Sequence, residues 1–377
     1  MRKKYIGLLC AILMVIGICV GCGSGEPEVT EEDYSSEELD DAPAQQLPKI
    51  GVSYGALTEF DTTFIEELKN QATANSFDVI DKNANGSAEQ QSADIIEMLE
   101  DENLVAMVVS PVDIDQLESA MEQCEIKKIP VINVLQPING VVNMLICPDY
   151  SELGIKGAKL CNEVVLDNDL TSASVFALFG PSDSFIMQMM YDGFAQQIGE
   201  YDTISVAGVN HCDYTEEQAY EMAKEFLSEN SANIVFTQNT IIANGVEKAL
   251  AELNQKAYII NIGGEQTVLE KVKSKEYYAT MFVSPYELAE KTVSEIAKAN
   301  QDTSYVFPEY ESLEINVASE SSIDNYLSQG KAYGDIYVEP QESPAATPSP
   351  SASESAPGAA PSSSASAPAA SASPAQS

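Results

Sequence analysis

The sequence has no tryptophan and a single histidine, His211, among its 377 residues. One imidazole beside one thiol, Cys212, falls short of the four donors that a zinc centre gathers. No GxSxG elbow, HExxH helix, GxGxxG turn or P-loop occurs. Carboxylates are plentiful, but no pair is set apart for acid–base work. These absences exclude the familiar hydrolase, metalloenzyme and nucleotide-binding signatures. They point to a binder, with no catalysis, metal or cofactor expected. Basic residues are also scarce, at 19 against 59 acidic ones, for a formal charge of −40. Such a chain repels phosphate backbones, so a nucleic-acid partner is excluded. The seven cysteines show no CxxC spacing. Cys124, Cys147, Cys161 and Cys212 read as buried free thiols, or as one disulfide whose pairing the spacing does not fix.

What is present begins with a targeting segment. Arg2, Lys3 and Lys4 form a basic start, and residues 5–21 are an apolar run too short for a comfortable membrane span. Gly21-Cys22 resembles the cleavage site of a bacterial lipoprotein, which implies a lipid on Cys22. Cleavage there removes three basic residues and no acid, taking the charge from −40 to −43. Residues 22–47 are acidic and poor in apolar groups, and read as an extended tether. Residues 339–377 are rich in serine, alanine and proline, and read as a second segment without a fold. The expected location is the extracytoplasmic face of the cell membrane, held by lipid.

Between these ends, short aliphatic runs alternate with amphipathic stretches. Strands are expected at 49–54, 77–80, 105–109, 131–135 and 142–146, and helices at 62–75, 88–100 and 114–124. The cycle then restarts from 152 and runs to about 327. Repeated βα units produce parallel sheets covered on both faces. Two such runs imply two doubly wound α/β lobes, at 48–148 plus 286–310 and at 149–285 plus 311–338. Segment 235–250, VFTQNTIIANGVEKAL, is the most informative stretch. Its strand stops at a polar turn, with Thr240 expected to cap the following helix. Asn239 is thereby delivered to a strand's carboxyl end, where open α/β sheets form their ligand crevice. A purely capping role for Asn239 fits the same position.

Several stretches resemble the ribose/galactose-type periplasmic binding proteins, the substrate-binding subunits of ABC importers. They are KIGVSY at 49–54, VSPVD at 109–113, IPVI at 129–132, DYSELG at 149–154, DGF at 192–194, and the 235–250 segment. The resemblance implies a type I periplasmic-binding-protein fold with three hinge strands, near Pro148-Asp149, Ser284-Pro285 and 309–313. It also implies a monomer that closes on a small sugar-like ligand and docks on a membrane permease. In this resemblance the family's acid and arginine after the IPVI strand are replaced by Leu135 and Gln136, its helix arginine by Gln188 or Met190, its later acid by Gly263 or Gly264, and its glutamine before the second crossing by Val283. The candidate ligand-binding set is therefore Tyr54, Glu59, Phe60, Phe64, Asn85, Gln136, Gln188, Cys212, Tyr214, Asn239 and Glu265. This set is rich in amides and aromatic rings. The loss of the sugar-clamping groups also admits a different role, a ligand-sensing lipoprotein serving a membrane kinase or chemoreceptor. A transcriptional repressor shares the fold but needs a basic headpiece, where this chain has an export signal and an acidic tether.

Overall fold

The computed structural model describes residues 46–55, 57–330 and 332–333. The expected leader, the expected lipidation site Cys22, the expected acidic tether and the serine/alanine/proline-rich end all fall outside the described residues.

The first sheet contains β1 (Lys49–Tyr54), β2 (Asp78–Asn83), β3 (Leu104–Val109), β4 (Val131–Val134), β5 (Met144–Cys147) and β11 (Tyr310–Ser312). All pairings are parallel, in the order β11-β5-β4-β3-β1-β2. The second sheet contains β6 (Ala173–Phe179), β7 (Ile204–His211), β8 (Ile234–Thr237), β9 (Tyr258–Ile262), β10 (Tyr277–Phe282) and β12 (Asn316–Ser319). Its order is β12-β10-β9-β8-β6-β7, and only the β10–β12 pair is antiparallel. Strands such as LVAMVV and IVFT are buried almost throughout because helices cover both sheet faces.

In the first lobe, α1 (Glu59–Ala74) and α9 (Pro285–Gln301) close one face around Ile50, Val108, Leu288 and Ile296. On the other face, α2 (Ala88–Met98) and α3 (Glu118–Lys127), which contributes Met121, pack on Met107 and Val109. In the second lobe, α4 (Tyr150–Asp167) and α5 (Phe185–Ile198) cover one face. The opposite face is covered by α6 (Glu216–Glu229), α7 (Thr240–Glu252), α8 (Gln266–Lys273) and α10 (Ile323–Ser328).

The α4–α5 pair is unusually close. A methyl on Gly154 would stand 1.9 Å from the Met190 carbonyl oxygen, and one on Gly193 would stand 2.2 Å from the Ser151 carbonyl oxygen. Each glycine therefore lets the partner helix's backbone approach.

Among the described residues the chain passes between the lobes three times: after β5, after β10, and between β11 and β12. The last passage falls at 313–315, later than the expected 309–313. Tyr310–Ser312 pairs with β5, and Leu313 is buried in the first core. Capping chemistry moves several element bounds as well. Helix α1 starts at Glu59 rather than 62, because Thr58 and Asp61 form a reciprocal capping box. Helix α3 starts at 118 rather than 114 and ends at left-handed Lys128. Strand β2 is displaced towards 83, and β5 starts at Met144.

Candidate functional site

The carboxyl ends of β1 and of β8–β9 face a common region where the two lobes meet. From the first lobe, the capping box places Glu59, Phe60 and Asp61 in the first turn of α1. Phe60 packs against the cores of both lobes. Its ring meets Tyr333 of the second lobe edge-on, with centroids 5.5 Å apart at 89°.

From the second lobe comes a relay of polar groups at the ends of β8 and β9. Thr237 Oγ1 donates to Asn261 Oδ1 at 2.9 Å, and Asn261 Nδ2 donates to Thr240 Oγ1 at 3.3 Å. Thr240 Oγ1 in turn donates to the Glu265 carboxylate at 2.8 Å. Gly263 makes room for this relay, since a methyl there would lie 2.3 Å from Thr240 Oγ1 and 2.5 Å from Glu265 Oε2. Burial raises the Glu265 carboxyl above its usual range, and the negative charge of Glu59 adds to the effect. Asp61 is also raised by burial, against the opposing hydrogen bonds from Thr58. Three carboxylates from two lobes thus converge where Tyr333 is buried. The chain's only arginine is Arg2, so the folded part offers no guanidinium to this region.

Asn239, not Thr240, is the N-cap of α7. Its Oδ1 accepts the Ile242 N–H at 2.8 Å. The capping role is real, and it leaves the Nδ2 donor without a hydrogen bond among the described residues. Its neighbour Gln238 keeps a buried Oε1 without a partner among them. Tyr214 adopts the left-handed region (φ 64°), and its ring fills the space beside Gly180. Its hydroxyl is pushed up to about 12, chiefly by burial. Gln136 follows Leu135, whose φ is 67°, in a three-residue turn closed by Gln136 N–H to Val134 O at 2.8 Å. The Leu135 carbonyl accepts a 2.7 Å bond from Tyr150 of α4, which ties the lobes beside the first hinge.

Other candidates lie elsewhere. Phe64 is 3% exposed and belongs to the first core. Helix α1 buries Phe64, Ile65, Leu68 and Ala72, so the aromatic one turn earlier, Phe60, is the one that reaches the lobe junction. Tyr54 packs in the same core and donates to Asp81 at 3.2 Å; burial and that carboxylate push its hydroxyl up to about 12. Cys212 is a core residue whose Sγ faces the Phe179 carbonyl, and burial raises its thiol. Gln188 is exposed on α5. Asn85 is exposed and left-handed, and holds its own loop through Asn83. It rims an open cavity of about 570 Å³ in the first lobe. A larger cavity, about 1010 Å³, opens in the second lobe beside Tyr258 and Tyr278. Each is lined by one lobe only.

The sequence reading missed Tyr333, Asp61, Thr240 and Asn261 as members of this region. Tyr333 follows the last helix with no periodic pattern to mark it. Thr240 and Asn261 become visible only once β8 and β9 are neighbours. Among the described residues, no helix is long and apolar enough to cross a membrane, and no cluster of acids, histidines and cysteines is arranged to hold a metal ion.

Comparison with known proteins gives three concordant findings. The model of the periplasmic binding protein domain matches residues 50–302. The ribose import binding protein of Bacillus subtilis is 21% identical over 66% of this chain and 80% of its own length. A xylitol-binding protein of Mycolicibacterium smegmatis is 23% identical over 64% of this chain and 69% of its own length. Among solved structures, a solute-binding protein from Actinobacillus succinogenes with bound D-allose superposes with a TM-score of 0.68 at 19% identity. It covers 74% of this chain and all of its own. One from Bacillus halodurans with bound myo-inositol gives 0.65 at 19% identity, over 75% of this chain and 98% of its own. Both show the same two-lobed α/β fold. With more than half of the chain matched and both parallel sheets in place, this chain belongs to the periplasmic binding protein domain family.

Proposed function

We propose that this chain is the substrate-binding component of an ABC importer, and that it captures a neutral sugar or polyol between its lobes. One observation carries the reading. The lobe junction carries carboxylate acceptors beside an aromatic pair, and the Asn239 Nδ2 donor at the end of β8 has no hydrogen bond among the described residues. Hydroxyls donate to carboxylates, and sugar CH faces stack on rings. The names of the similar proteins, which bind ribose, xylitol, allose and inositol, support the class. A phosphorylated sugar is disfavoured, because Glu59, Asp61 and Glu265 repel it and no guanidinium offsets them.

We assign ligand contacts to Glu59, Phe60, Tyr214, Asn239 and Glu265, with Gln136 at the rim. Contacts made only in the closed form would draw the hinge equilibrium towards closure. A lipid on Cys22, an extracytoplasmic location and delivery to a membrane permease complete the proposal.

The test is calorimetry together with small-angle scattering on protein starting at Gly23. The panel is D-ribose, D-allose, xylitol, myo-inositol and ribose 5-phosphate. Binding and compaction with a neutral member, and none with the phosphate, is the expected result. Tight binding of the phosphorylated sugar, or no response to any neutral one, would defeat the proposal.

A further inference from the structure

Tyr333 belongs to no helix or main strand, yet only 7% of its surface is exposed. Its backbone makes two bonds to the turn between β9 and α8: its N–H donates to Gly264 O at 3.1 Å, and its carbonyl accepts the Gln266 N–H at 2.9 Å. Its hydroxyl accepts a third, from Gly264 N–H, at 2.9 Å. The fit depends on Gly264, where a methyl would stand 2.6 Å from the Tyr333 ring and 2.7 Å from Phe282. From the other lobe Phe60 meets the ring edge-on, and Tyr286 of α9 approaches the Ala332 carbonyl at 3.5 Å. Tyr333 therefore engages both backbone groups of Gly264 and the Gln266 N–H, and with Ala332 it touches both lobes.

We infer that Tyr333, with Ala332 beside it, is a built-in occupant of the cleft, a clasp that holds the lobes together without ligand and that an incoming ligand displaces. The ligand half of this inference rests on the function proposed above; the clasp half does not. Gly264 stands at a strand end, where α/β proteins bind their ligands, and both its N–H and C=O are engaged by Tyr333. A ligand reaching Gly264 must break those bonds and the Phe60 contact. Binding affinity is then reduced by the fraction of molecules with the clasp engaged.

The experiment uses the chain from Gly23 with spin labels at Glu122→Cys and Glu221→Cys, one exposed site per lobe. The four native thiols of the folded part are buried and stay unlabelled. Electron–electron resonance distances and amide exchange are measured without ligand for the unaltered chain, Tyr333→Ala, Tyr333→Phe and a chain ending at Gly330. For Tyr333→Ala and the shortened chain, label separation shifts to longer values, and the Gly264 and Gln266 amides exchange at least about tenfold faster. Tyr333→Phe keeps the ring, so the lobes stay together while the Gly264 amide alone exchanges faster.

Unchanged separations in both Tyr333→Ala and the shortened chain would overturn the clasp, leaving Tyr333 as ordinary core. For any panel sugar that binds, Tyr333→Ala tightens affinity; weaker binding would make Tyr333 a wall of the site and overturn its role as occupant. Absence of sugar binding defeats the proposed function, while the ligand-free distances still decide the clasp.

Discussion

Replacing Gly154 by alanine sets two effects against each other, and the structure says which wins. Alanine is the better helix former by about 1 kcal/mol, so propensity alone predicts a more stable protein. The added methyl, however, would stand 1.9 Å from the Met190 carbonyl oxygen and 2.7 Å from the Phe194 nitrogen. Both atoms are backbone, so no rotamer change relieves the clash. Helices α4 and α5 must separate by roughly 1 Å, which forfeits a quarter to a half of the dispersion energy along their contact. Overpacking typically costs about 1–3 kcal/mol, and a rigid wall puts this site at the upper end. The net expectation is a loss of about 2 kcal/mol, from about 3 of overpacking against about 1 of propensity. Urea unfolding followed by circular dichroism would show a lower midpoint at unchanged slope. Gly193→Ala makes the same demand from the other helix, so the double variant should lose less than the two singles together. A Gly154→Ala protein as stable as its parent, or more so, would refute the reasoning. The consequence reaches the cleft, because α4 carries Tyr150, whose bond to Leu135 spans the first hinge.

Asn239→Ala should cost about 1 kcal/mol of stability through the lost cap and should also weaken sugar binding. Asn239→Asp keeps the cap and removes the amide donor, so in calorimetry and thermal melts it should separate the two roles. Glu265→Gln should stabilise the protein near neutral pH, because the native carboxyl is raised by burial and by Glu59. With a raised native value, the folded form holds more protons than the unfolded one in the window just above the ordinary carboxylate range. The parent therefore gains stability as pH falls through that window, and the advantage of the variant shrinks; an advantage independent of pH would contradict this. Burial pushes Cys124 and Cys147 up to about 11, and raises Cys161 and Cys212 as well. None of the four should react with Ellman's reagent near neutral pH until the protein is unfolded.

The fold was legible because its signal is repeated. Aliphatic runs such as LVAMVV admit little but a strand buried on both faces, and their alternation with amphipathic helices dictates parallel sheets. Bounds shifted where side-chain chemistry overrules periodicity, as when Thr58 and Asp61 start α1 three residues early. The site was legible only in part. Asn239 could be placed because a strand end and a helix start are both local features. Phe60 falls outside the helix expected at 62–75, and only the packing of α1 on the first sheet decides that Phe64 is core. Tyr54 ends β1 and Cys212 follows β7, but their side chains turn into the cores. Tyr333 owes its place to a glycine 69 positions away, a pairing that no window along the chain reveals.

The interleaving of the two lobes bears on how the protein is made. The first core includes Leu288, Ala289, Val293, Ile296 and Leu313, which leave the ribosome, or emerge from an export channel, after most of the second lobe. Until they arrive, the part of the first core that α9 closes beside α1 and β3 stays bare. The lobe encoded first is thus completed late, and its unfinished surface is the one a chaperone would have to shield during synthesis.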